Sequence, residues 1–94
     1  MPEWTEGTVR QALASLRDGQ LGRGGVPKAE IRVILDKLLK NQKLDIPTLE
    51  RVLVDLEKLK TRPNAQELLV DLLVAKRILE GYLQVLNKEN GEKP

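Results

Sequence analysis

The stretch from Leu68 to Leu86, "LLVDLLVAKRILEGYLQVL", decides the fold of this chain. It predicts a helix with apolar side chains on almost every side. On a wheel turning about 100° per residue, Leu68, Leu72, Ala75, Leu79, Leu83 and Leu86 share one continuous side. The opposite side changes character partway along. Leu69 and Leu73 occupy the sector that Arg77, Glu80 and Gln84 fill later, whereas Glu67 and Asp71 are polar where Ile78 and Val85 are apolar. The apolar surface therefore rotates about the axis, and the helix is expected to meet different neighbours at its two ends.

Just upstream, Asn64 with Glu67 three positions later has the spacing of a capping box, in which side chain and backbone satisfy each other's unpaired N–H groups. From Ala65 nothing stops a helix before about Asn87 except Gly81, whose cost of roughly 1 kcal/mol a long helix can absorb. Such a helix is roughly 34 Å long, against roughly 17 to 22 Å for the shorter helices before it. It must thread between them or project beyond them.

Three shorter amphipathic segments precede it. Thr5 is placed to cap a helix from about Glu6 to Leu16, with Val9, Ala12, Leu13 and Leu16 on one side and Trp4 folding back over the core edge. "GQLGRGGVP", Gly19 to Pro27, ends it, because so many glycines lose too much backbone entropy in a helix. A second helix is expected from near Pro27, burying Ile31, Ile34, Leu35, Leu38 and Leu39 and leaving Val33 outside. Asp45 then caps a third, with Leu49, Val52, Leu53, Leu56 and Leu59 inward and Val54 as a second stray apolar residue. The tail from about 88 to 94 is polar and is expected to fray.

The 94 residues suffice for one hydrophobic core, so residues 1–94 read as a single domain. Eighteen leucines, no phenylalanine, one tryptophan and one tyrosine favour helix over a pleated surface. The fold class is all-α: a small four-helix, bundle-like domain with a long C-terminal helix.

Cysteine and histidine are both absent, which removes thiolate chemistry, disulfides, the commonest metal ligand and the usual acid–base group at neutral pH. Glu67 with Asp71, and Glu50 with Glu57, are carboxylate pairs at helical spacing, but nothing marks a dry cleft around them. Asp36 with Lys40, Asp55 with Lys58 and Lys76 with Glu80 read as surface ion pairs. Tyr82 reads as a residue at the core rim. No enzyme, metal or cofactor is expected. A membrane-surface helix would carry tryptophan or phenylalanine on its apolar face, and the long helix has neither. With no transmembrane run and no secretion signal at the start, the expected location is cytoplasmic or nuclear.

The glycine segment lacks the Gly-Lys-Ser/Thr ending of a phosphate-binding loop, and its "GQLG" lacks the strands that a KH-type nucleic-acid clamp requires. A linker explains it. The expected function is protein association, as an adaptor or assembly subunit, with another protein or with a second copy as a homodimer. Leu69, Val70, Leu73, Val74, Ile78 and Val85 form the candidate partner-binding surface, because three narrow stripes cannot easily cover them all. The alternative is weak nucleic-acid binding through Arg17, Arg23, Lys28, Arg32, Lys40 and Lys43 in the mildly basic first half.

Overall fold

A computed structural model describes residues 3–20 and 26–91 of the chain. Four α-helices follow one another: α1 (Glu6–Arg17), α2 (Ala29–Leu39), α3 (Ile46–Lys58) and α4 (Ala65–Gly91), with one 3₁₀ turn, Leu59–Thr61, closing α3. Helix α1 packs on α2 and α4, and α3 packs on the same two, so the four form a ring around one core. Val9, Leu13, Ile31, Leu35, Leu49, Leu68, Ala75 and Leu79 are completely buried at its centre. No polar side chain is buried among the described residues.

Each helix end has a local cause. Thr5 caps α1 as expected, but its reciprocal partner is Thr8: Thr8 N donates to Thr5 Oγ1 at 3.1 Å and Thr5 N to Thr8 Oγ1 at 2.9 Å. At the other end Gly19 takes φ 77°, while Gly19 N donates to the Leu16 carbonyl and Gln20 N to that of Ser15. This pair of bonds is a Schellman motif, which needs a residue at ease in the left-handed region. Most of the glycine loop, residues 21–25 including Arg23, lies outside the described residues. Helix α2 begins at Ala29 rather than at Pro27, because Lys28 is extended and serves as N-cap. Pro27 is instead buried just before the helix, and its carbonyl accepts Arg32 Nε at 2.9 Å. Asp45 caps α3 through Thr48 N at 3.1 Å, and hydrogen bonding from the Thr48 side chain, with this backbone bond second, holds its carboxyl below the ordinary value.

One expectation for α4 is corrected. The Asn64 capping box does not form. Asn64 Nδ2 donates across to Glu30 Oε2 on α2 at 2.8 Å, and α4 opens with Glu67 N on the Asn64 carbonyl at 3.0 Å. The helix runs on through Lys88 to Gly91. Polar residues such as Lys and Glu are good helix formers, and a lysine in the last turn is favoured by the helix dipole. At 27 residues α4 reaches roughly 40 Å and sets the 46 Å long axis of the described molecule.

The second turn of α1 ties the ring together through Arg10. Its guanidinium donates to the carbonyls of Leu39 (3.1 Å), Asn41 (2.6 Å) and Gln42 (3.0 Å), where α2 ends and leaves carbonyls unpaired. Glu6 holds Arg10 from one turn earlier at 3.3 Å, and its other oxygen accepts Leu44 N.

Candidate protein-interaction surface

A helix in a ring of four turns one sector inward, two flanks to its neighbours and one sector outward. On α4 the inward sector holds Leu68, Leu72, Ala75, Leu79 and Tyr82, all buried. Burial raises the Tyr82 phenol above its ordinary value, with Glu6 and Glu89 adding to the effect. The outward sector begins apolar and ends polar. Leu69, Val70 and Leu73 are 44%, 40% and 52% exposed, and beyond them the same sector continues with Arg77, Glu80 and Gln84.

The six residues of the candidate surface thus separate into two groups. Leu69, Val70 and Leu73 are open to solvent, and Val74 lies half-buried at their edge. Ile78 is only 5% exposed and belongs to the core, and Val85 is half-buried against it. Trp4 packs at this second end of α4. A Cβ built on Gly81 would stand 2.7 Å from Trp4 Cδ1, so the indole lies directly on the glycine backbone. The segment before α1 therefore covers part of what three helical stripes alone would leave open.

On the α3 side the face is bordered by a charged clasp. Glu57 Oε1 accepts Lys60 Nζ at 3.0 Å and Lys76 Nζ at 3.1 Å, and the two ammonium groups hold its carboxyl below the ordinary value. Lys76 therefore bonds to Glu57, not to Glu80 one turn away. Leu73 and Leu72 line a narrow crevice with Leu56 beneath this clasp. Helical spacing could not reveal the Glu57–Lys76 bond, since its partners stand 19 residues apart on different helices.

The basic residues of the first half are partly neutralised where they stand. Arg17 bonds Asp18 at 3.0 Å and Asp36 at 3.2 Å, and both carboxylates raise its pKa. Lys40 lies 3.4 Å from the other oxygen of Asp36, and Arg32 is engaged with the Pro27 carbonyl. Lys28 and Lys43 are exposed. A phosphate approaching this patch would compete with Asp18 and Asp36 for its arginine and lysine.

Among the described residues no group of three metal-ligating side chains converges, and no helix is long and apolar enough to cross a membrane. Compared with family models, with curated proteins and with solved structures, the chain matches none.

Proposed function

We propose that this chain is a non-catalytic protein-interaction module, an adaptor or small assembly subunit that docks a protein through the outward face of the first half of α4. One observation carries the reading: Leu69, Val70 and Leu73, three large aliphatic side chains within five residues, stand on one face, each at least 40% exposed. A single exposed apolar residue such as Val54 is ordinary on a protein surface, whereas adjoining ones form a patch with free energy to gain from cover. Complete burial of a leucine or valine stabilises by roughly 1.5–3 kcal/mol. Covering the exposed half of each of these three would therefore contribute about 2–4 kcal/mol, enough for the centre of a small interface.

Affinity capture from an extract of the source cells tests this with three baits: wild type, Leu69→Glu/Leu73→Glu and Val33→Glu/Val54→Glu. The reading requires a protein held by the first and third baits and lost from the second. A bound set indifferent to the α4 substitutions refutes it. So does retention of nucleic acid that disappears in Arg32→Glu/Lys40→Glu, which would move the function to the first half of the chain.

A further inference from the structure

Given a docking role for this face, as proposed above, its chemistry also specifies an occupant. We infer that the face takes a second copy of the same chain, with the two α4 helices antiparallel across a two-fold axis beside residues 71 and 72.

The spacing of the face carries this assignment. In an isologous pair, residue i of one chain meets residue j of the other and j meets i, so the surface must complement itself about its own centre. Val70 and Val74 lie symmetrically about position 72 on one edge of the face. Leu69 and Leu73 lie symmetrically about position 71 on the other edge. The two centres differ by one residue, roughly 1.5 Å along the axis. An antiparallel partner therefore sets Val70 against Val74 and Leu69 against Leu73, each contact occurring twice.

Charge obeys the same symmetry. Glu67 stands five residues before Leu72 and Arg77 five residues after it, so each is roughly 7.5 Å from the centre. Both are exposed, and neither is among the ion pairs formed by the described residues. Lys76, one position away, is already held by Glu57. In the antiparallel arrangement Glu67 of each chain is level with Arg77 of the other, giving two opposite-charge contacts. A parallel arrangement would instead set Glu67 beside Glu67 and Arg77 beside Arg77. The free charges thus favour one orientation and oppose the other. The apolar centre is small against the roughly 800 Å² per partner of a standard stable interface, so the dimer exchanges with monomer as concentration changes.

Sedimentation equilibrium or light scattering of the full chain, from about 5 to 500 µM protein, tests the inference with four variants checked for unchanged helix content. The expected result is a mass rising from monomer to dimer. Leu73→Glu should raise the dissociation constant at least about tenfold, as a charge brought into an apolar contact without a partner does. Glu67→Arg and Arg77→Glu should each weaken association, and added salt, which screens the new like-charge contacts, should partly relieve the loss. The double exchange Glu67→Arg/Arg77→Glu should restore it. A monomer throughout the range overturns self-association but leaves the face available to a different protein, so the capture experiment above still decides the broader reading. A dimer that survives Leu73→Glu unchanged overturns both the assignment and the use of this face. A dimer weakened by Leu73→Glu but indifferent to all three charge variants overturns the antiparallel arrangement.

Discussion

Replacing Gly81 by alanine sets two effects of similar size against each other, and their balance tests whether Trp4 closes the far end of the core. In the interior of a helix alanine is favoured over glycine by about 0.8–1 kcal/mol, because it restricts the unfolded backbone. Against this, the new methyl carbon would stand 2.7 Å from Trp4 Cδ1 and 3.4 Å from Cε2. Ordinary carbon–carbon contact begins at about 3.5 Å, so the indole must retreat by about 1 Å or leave its seat. Full burial of a large apolar side chain stabilises by roughly 1.5–3 kcal/mol, and a half-buried ring that departs forfeits about 1–2 kcal/mol of that. The net effect of Gly81→Ala in the native chain is then a loss of up to about 1 kcal/mol. In a Trp4→Ala background the ring is gone, and the same substitution should stabilise by about 1 kcal/mol.

The change of sign is the test, expressed as a coupling energy of about 1–2 kcal/mol between the two positions. Urea unfolding followed by helical circular dichroism supplies the four free energies. Because Trp4 is the sole tryptophan, its emission reports the displacement directly. In Gly81→Ala the emission should shift to the red and quench more readily with acrylamide. If Gly81→Ala stabilises both backgrounds equally and leaves the emission unchanged, the ring does not rest on the glycine, and the account of how Ile78 and Val85 are covered fails with it.

Three further outcomes follow from other contacts. Leu72 and Leu73 are neighbours with opposite fates, 2% and 52% exposed, so Leu72→Ala should cost about 2–5 kcal/mol in urea unfolding while Leu73→Ala stays within about 0.5 kcal/mol of native. Arg10→Met removes charged donors from three carbonyls at the end of α2 and should cost about 1–2 kcal/mol by the same measurement; Arg10→Lys should recover only part of this, since an ammonium cannot span the fork. In acid, the carboxyls of Asp45, Glu57 and Glu30 are all held below their ordinary values by hydrogen bonds to Thr48, Lys60 and Asn64. A depressed folded-state pKa stabilises above the unfolded value and is lost as pH falls through the folded one. Stability measured by urea unfolding should therefore decline below about pH 4.5, the ordinary value for Glu57, and Asp45→Asn, which keeps a capping oxygen but cannot titrate, should make that decline shallower.

What the sequence made legible was what local spacing determines. The caps at Thr5 and Asp45, the buried arcs of α1 to α3 and the outward positions of Val33 and Val54 depend on residues within a turn or two of one another. The misreadings have a common origin in distance along the chain. Asn64 had a suitable Glu67 nearby, yet its amide bonds Glu30, 34 residues away. Arg10 falls beside the buried stripe on a wheel, and nothing local says that its acceptors are carbonyls 29 to 32 residues on. Ile78 is buried where the wheel left it open, for a related reason. A wheel assigns a residue to a sector but does not say what lies over that sector, and the covering group at this end comes partly from Trp4, outside every helix.

The division of α4 into a covered and an open half also bears on how the open half can bind. Leu68, Leu72 and Ala75 alternate with Leu69, Val70 and Leu73 along the same two turns, and all three are locked in the core at no more than 2% exposure. The helix behind the face is thereby fixed before any partner arrives. Valine in a helix has essentially one side-chain rotamer, so Val70 has little freedom left to lose. The usual penalty for ordering an interface is correspondingly small here, and a face of three residues can gain more per unit area than a loop of the same composition. Trp4 illustrates the same economy in reverse: one aromatic ring, seated on Gly81, covers part of the second half of the helix. The ring of four helices has no such group for the first half. A protein that binds there needs to bring only a short apolar ridge with charges at its ends, which is what an antiparallel copy of α4 presents.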